Sequence, residues 1–343
     1  MTDIRETSSS TQTDAHTTLD LDELNQSWTE YWSSGVLHSC ACAYQGNYAG
    51  EIAALWQGLF AELPDGAVIA DLGTGNGPIP LLAKQVAGER AVHFNIHGVD
   101  LASIDPATRV KDDRYAGITF HPDTSMTELP FADKSVDCVT GQYSLEYAPI
   151  GQAVVEILRV LRPGGVACFV IHDRDSLVLQ TTSEQLETCA FLFEASDFFP
   201  QAHALCDLLA NAGTPAQRAA LANDPSAQEV RRRFNHASSS LTERITRLDT
   251  PDILQVAMGM TGAAIDQIAA EPVTAIHAQL DACEASLRGE RLRLQALDRV
   301  AMDASQIGAL RAMFEQAGST KVEIGTIEHA PGQSLGYSLV VHA

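Results

Sequence analysis

The chain has 343 residues, 45% of them apolar, so it exceeds one ordinary domain and can bury a sizeable core. Its 44 acidic side chains against 22 basic ones give a net charge of −22. Such a field excludes nucleic-acid backbones and anionic membrane surfaces as main partners, because both require positive charge. No continuous apolar run reaches the roughly 18 residues of a transmembrane helix. Residues 1–20, MTDIRETSSSTQTDAHTTLD, are polar, lack an apolar signal-peptide core and read as a disordered tail. The seven cysteines are scattered, with Cys138 and Cys168 inside apolar strand-like runs. Buried free thiols of that kind suit a reducing, cytoplasmic setting.

Residues 21–65 read as an N-terminal helical cap. Trp28, Tyr31 and Trp32 share one helical face, which either packs against the end of a sheet or covers a ligand. The Cys40-x-Cys42 pair that follows lacks the four-ligand spacing of a zinc site, so no metal is expected. Glu51 to Leu63 is amphipathic, and Pro64-Asp65-Gly66 is a turn.

The short apolar strand Val68-Ile69-Ala70 then runs into Asp71, followed by glycines at 73, 75 and 77 and a helix opened by Pro78. Glycines permit a tight turn and close approach of backbone to a ligand, and proline suits the first helical position. The dinucleotide pattern GxGxxG would need glycine where Pro78 stands. The pattern present, D-x-G-x-G-x-G after a hydrophobic strand, resembles motif I of the class I S-adenosylmethionine-dependent methyltransferases. A glycine-rich turn alone would also serve another nucleotide site of the Rossmann type.

Strands and helices alternate from there, as a parallel doubly wound sheet requires. A second strand, Val92 to Val99, ends in Asp100, 27 residues after Gly73. At that spacing a carboxylate meets a ribose diol, accepting from two hydroxyls at once. A third strand, Gly117 to His121, leads into the segment from Pro122 to Pro149, which contains LPF and then VDCVTGQYSLEY. This segment, with EILRVLRPGG after it, resembles the ubiquinone/menaquinone-biosynthesis-type methyltransferases. The fourth strand, Val136 to Thr140, places Gly141, Gln142 and Tyr143 at its carboxyl end, where open α/β sheets bind ligands.

The resemblance implies a Rossmann-like, seven-stranded class I methyltransferase sheet whose last strand is antiparallel, with S-adenosylmethionine as cofactor. It implies that Asp71 fixes a loop of Gly73, Thr74, Gly75, Asn76 and Gly77 around the cofactor's amino-acid portion. Asp100, with Leu101 beside it, takes the ribose, and Gln142 borders the same site. The position that recognises adenine in the family matches Ser125, followed by Met126, where an acid is usual. Either Ser125 substitutes, or the loop is reshaped so that Asp123 reaches in. His172, closing the fifth strand, faces the same crevice and is either a base or a hydrogen-bonded edge histidine. Tyr143 is the second candidate for catalysis, and Trp28, Tyr31, Tyr143, Tyr147 and His172 are the candidates for holding the acceptor.

The order breaks after residue 175. About 125 residues, 176–302, carry helical periodicity and almost no strand signal, and read as an inserted lid subdomain. Phe191, Phe193, Phe198 and Phe199 cluster there, and Ile276, Leu280, Cys283 and Leu287 form an apolar seam. These residues serve a core, a homodimer contact or a pocket. Arg231-Arg232-Arg233 reads as a solvated face. Residues 303–343 resume the sheet with helix Ala304 to Ala317 and strands Val322 to Ile327 and Leu335 to Val341, an antiparallel pair around Pro331-Gly332. The expected function is methyl transfer to a small, largely apolar metabolite by direct displacement. The alternatives are transfer to a protein side chain and a cofactor-binding scaffold without transfer.

Overall fold

The computed structural model describes residues 20–39, 46–109 and 113–343. Residues 1–19 of the expected tail and the Cys40/Cys42 pair lie outside that set. Helix α1, Leu21–Ser33, starts where the Asp20 side chain accepts the backbone N–H groups of Asp22 and Glu23. Helix α2, Gly50–Ala61, precedes β1, Val68–Leu72. Gly77, left-handed at φ 77°, then turns the chain into α3, Pro78–Arg90. Next come β2 (Asn95–Val99), the single turn α4 (Pro106–Arg109), β3 (Ile118–His121) and β4 (Val136–Gln142). Helix α5, Ile150–Val160, runs directly into β5, Leu161–Ile171. The second strand begins three residues later than its apolar pattern suggests, and the fourth runs two residues further, through Gln142.

Six helices follow: α6 (Leu177–Ala190), α7 (Phe198–Ala210), α8 (Pro215–Asn223), α9 (Pro225–Ile245), α10 (Asp252–Asp266) and α11 (Val273–Val300). Helix α12, Ala304–Gln316, then returns the chain to β6, Lys321–Ala330, and β7, Gln333–His342. The sheet has seven strands in the order β3-β2-β1-β4-β5-β7-β6. All pair in parallel except β7, which lies antiparallel between β5 and β6. Leaving β1, the chain winds toward β3 and then returns to the other side at β4. The carboxyl ends of β1 and β4 therefore flank a crevice at the switch point.

Alternation along β5 shows how the sheet is held. Val166, Cys168 and Val170 face the cluster built by α2 and α3 around Trp56, Phe60, Ile79 and Leu82. Ala167, Phe169 and Ile171 face the opposite cluster, with α5 and α12 supplying Ile157, Leu310 and Phe314. A strand covered on both faces must be apolar at every position, which explains why its sequence lacks a polar alternation.

The inserted helices have a core of their own. Phe198, Phe199, Cys283 and Leu287 are buried together with Leu254 and Leu241, while Ile276 and Leu280 close a neighbouring cluster. The seam read from the sequence is thus consumed inside the chain. Arg232 and Arg233 both pair with Glu229 on the exposed face of α9. Helix α1 packs against α11, where Arg293 donates to the Ser27 carbonyl at 2.9 Å and lies 4.7 Å above the Tyr31 ring. Helix α2 instead sits on the sheet. The two N-terminal helices therefore belong to different layers, and α1 with α11 roofs the crevice.

Candidate active site

The strand ends at the crevice are tied to one another before any ligand is considered. At the end of β1, the Thr140 hydroxyl donates to Asp71 Oδ1 at 2.8 Å, and Ser144 Oγ donates to the Leu72 carbonyl at 2.6 Å. A Cβ on Gly73 would collide with Ser144, and one on Gly75 would stand 2.6 Å from the Trp32 indole. Both glycines have positive φ, 66° and 53°, so the turn needs them for conformation as well as space. The indole above Gly75 comes from the roof helix α1, so this glycine is required by packing within the protein.

Asp100 caps the same loop. Its Oδ2 accepts the Gly75 N–H at 2.7 Å and its Oδ1 accepts the Ala102 N–H at 2.9 Å. Burial pushes the Asp100 carboxyl up to about 6 and that of Asp71 up to about 7. For Asp100 those two N–H donors oppose the rise, and for Asp71 the hydroxyls of Thr74 and Thr140 do.

A chamber of about 340 Å³ opens between these ends. Asp71, Gly73, Thr74 and Asp100 form one side, with Leu101 exposed at the mouth. Ser125 and Met126 form another, and Gln142, Tyr143 and Tyr147 close the end toward β4 and β5. Asp123 does not line it; its carboxylate accepts from Ser103 Oγ at 3.3 Å outside. Gly75, Asn76 and Gly77 hold the loop and do not line the wall. Asn76 Nδ2 is turned away to the carbonyls of Trp32 and Val36, and Gly77 backs onto Phe120.

A second chamber of about 290 Å³ adjoins the first, sharing Trp28, Ser39, Tyr143 and Tyr147 with it. Its floor is the sheet end with His172 and Leu335, and its sides come from α1, α6 and α11 through Tyr31, Val178, Leu294 and Leu297. It is not uniformly apolar. Thr181, Thr182 and Gln185 project from α6, and Arg293 pairs with Glu290 at 2.6 Å on the α11 side. Tyr143 stacks on His172 with ring centroids 4.1 Å apart, and its hydroxyl donates to the Leu335 carbonyl at 2.7 Å. Tyr147 meets both Trp28 and His172 edge to face, each at 6.2 Å. The residues expected to hold an acceptor therefore come together around one space, although α1 lies far from them in sequence.

Two side chains of the site carried no signal of their own. Trp56 on α2 donates from its indole N–H to Gln142 Oε1 at 2.8 Å, and Nε2 of Gln142, a residue that lines the first chamber, is buried without a partner. Glu146 was legible only as part of the LEY segment. Its Oε1 accepts both the backbone N–H of His172 and that residue's Nδ1, at 2.9 and 2.7 Å.

The family model described as a methyltransferase domain matches residues 70–169, from β1 into β5. Residues 70–169 are a class I methyltransferase domain. The cofactor of such a domain is S-adenosylmethionine. The chain also resembles curated proteins. Residues of this chain are 26% identical over 171 positions to a ubiquinone/menaquinone biosynthesis C-methyltransferase of Vibrio cholerae, covering 48% of this chain and 62% of that one. They are 31% identical over 128 positions to an uncharacterized methyltransferase of a Mycobacterium species, covering 35% of this chain and 44% of that one. The chain thus spans between 44% and 62% of the length of these relatives. An S-adenosylmethionine-dependent methyltransferase from Mesorhizobium loti aligns at 25% identity and TM-score 0.30, covering 37% of this chain and 58% of that one.

The residues of the first chamber fit this cofactor. Gln142 Nε2 is a buried donor awaiting an acceptor, and the Gly73 turn brings bare backbone to the wall. Asp100 has one further lone pair on each oxygen for ribose hydroxyls. Among the described residues no group of three or more histidine, cysteine or acidic side chains is arranged to hold a metal ion. None of their helices is long and apolar enough to cross a membrane.

Proposed function

We propose that this protein transfers a methyl group to the hydroxyl of a small molecule bound in the second chamber, with His172 as the base. The observation that carries the reading is the shared wall of Trp28, Ser39, Tyr143 and Tyr147, which puts a cofactor-sized space against a space that ends at His172. When bound, the cofactor supplies an electrophilic methyl carbon, to which the acceptor bonds as the carbon–sulfur bond breaks and its electron pair returns to sulfur. Asp100 would hold the ribose, Gly73, Thr74 and Gln142 would hold the amino-acid portion, and Ser125 with Met126 would border the adenine. Trp28, Tyr31 and Tyr147 orient the acceptor. The roof of α1 and α11 keeps bulk water from the reacting atoms, which favours alignment over hydrolysis. The Glu290–Arg293 pair makes the acceptor space suited to a ring with a polar substituent, more so than to a wholly apolar metabolite.

Transfer of isotopically labelled methyl from the cofactor to a panel of phenols, aliphatic alcohols, amines and carboxylates tests this. Phenols or alcohols are expected to be labelled. The His172→Ala variant should lose about a hundredfold to ten-thousandfold in kcat while binding S-adenosylhomocysteine normally. Labelling confined to amines or carboxylates, or full activity in His172→Ala, would refute the assignment.

A further inference from the structure

Glu146 sits behind His172, in the turn 145–147 between β4 and α5. Its side chain is wholly buried, and His172 is 6% exposed. A single oxygen, Oε1, accepts from both the His172 backbone N–H and ring Nδ1, while Oε2 is buried with no partner. Among the described residues no other charged side chain pairs with this carboxylate. Tyr143 covers one face of the imidazole, stacked at 19° between the planes, and Tyr147 approaches at 76°. Glu146 lines neither chamber, whereas His172 lines the second. With one ring face and the Nδ1 edge occupied, the edge that carries Nε2 is left to face the acceptor space.

Resting on the methyl-transfer reading above, we infer that Glu146 is the positioning residue of the proton transfer and that it restricts the acceptor to a group that arrives protonated, a phenol-like hydroxyl. A carboxylate oxygen beside Nδ1 keeps the ring hydrogen there, so the Nε2 lone pair is free to accept a proton. The acceptor O–H bond breaks, its electron pair stays on oxygen, and the proton bonds to Nε2. The ring then carries a positive charge, and the carboxylate at 2.7 Å becomes its counter-ion in a water-poor setting. A carboxylate acceptor, already ionised, would gain nothing from this arrangement. The aromatic walls formed by Trp28, Tyr31, Tyr143 and Tyr147 favour a flat ring beside the hydroxyl.

The test combines a spectroscopic and a kinetic measurement on the full chain loaded with S-adenosylhomocysteine or cofactor. With ¹⁵N-labelled histidine, the His172 ring is expected to carry its hydrogen on Nδ1 in the parent and in Glu146→Gln, whose amide oxygen still accepts. In Glu146→Ala the hydrogen should move to Nε2. On a phenol acceptor, Glu146→Gln should lower kcat by about tenfold to a hundredfold, with KM and S-adenosylhomocysteine affinity within about twofold of the parent. The loss should shrink for acidic phenols that are ionised in solution. A parent ring protonated at Nε2, or a Glu146→Gln loss equal for acidic and weakly acidic phenols, would overturn the inference. If no panel acceptor turns over, the ring spectra still decide the positioning role, while the methyl-transfer reading fails separately. If Glu146→Ala does not fold, Glu146→Gln alone carries both measurements.

Discussion

Replacing Asp100 by alanine is expected to weaken S-adenosylhomocysteine binding roughly a hundredfold to a thousandfold, from the loss of two charged hydrogen bonds at a buried site. The side chain does two jobs. It holds the Gly75 and Ala102 N–H groups, at 2.7 and 2.9 Å, and in the proposed function it offers its remaining lone pairs to the ribose. Alanine strands both donors, so the loop loosens along with the loss of the ribose contact. Asparagine should be little better, because one end of an amide opposes an N–H with an N–H. Titration calorimetry measures the change, and an Asp100→Ala variant within threefold of the parent would remove the ribose assignment.

The same residue predicts a pH dependence whose sign differs between the free and the bound protein. The folded carboxyl titrates near 6 for Asp100 and near 7 for Asp71, above the ordinary value of 3.8, because burial disfavours the charge. In the free protein their contribution to stability is therefore fully present below about pH 4 and is lost as pH rises through about 6 and 7. Binding runs the other way in the proposed function, where it is the ionised Asp100 that accepts from both ribose hydroxyls. Affinity should fall about tenfold per unit as pH drops below about 6. S-adenosylhomocysteine has no group with an ordinary value between about 5 and 7 to mimic this. Calorimetry from pH 5 to 8 reads the slope, which should flatten in Asp100→Ala; an equal slope in the variant would reject the assignment.

The second large effect is expected at Trp56. It is 0% exposed, stacks with Phe60 at 6.4 Å and donates to Gln142. Truncation to alanine should cost about 3–5 kcal/mol of stability, against a typical total of about 5–15 kcal/mol. It should also weaken cofactor binding, because Gln142, which lines the first chamber, loses the bond that fixes its amide. Phenylalanine retains most of the apolar contact but not the donor, so Trp56→Phe should fold nearly as well yet bind less tightly. Urea denaturation and calorimetry separate the two losses. A cost below about 1 kcal/mol for Trp56→Ala would show that α2 is not anchored through this side chain.

Much of this arrangement was legible in local sequence. The alternation of apolar runs and helices gave the sheet, and the glycines at 73, 75 and 77 with Asp71 marked the turn at its switch point. Those signals are local because hydrophobic periodicity and turn geometry depend on residues only a few positions apart. The boundaries were less legible: Val92 to Phe94 are apolar enough for a strand but precede the first residue paired with β1. Pairing depends on where the neighbouring strand begins, which no local pattern encodes.

The sequence by itself determined the strand–turn–helix that carries Gly73, the acid at position 100, and a helical stretch of about 125 residues in the middle of the sheet. Only the tertiary structure decided that Trp32 roofs Gly75, that Trp56 aims Gln142, and that Glu146 stands behind His172, separated by 43, 86 and 26 positions. It also decided that the seam of α11 is spent on the insertion's own core while its far turns meet α1 over the second chamber. The physical reason is the same in each case. Periodicity reveals that a face is apolar or that an acid ends a strand, but the energy comes from the partner, and packing alone selects which distant surface that partner is.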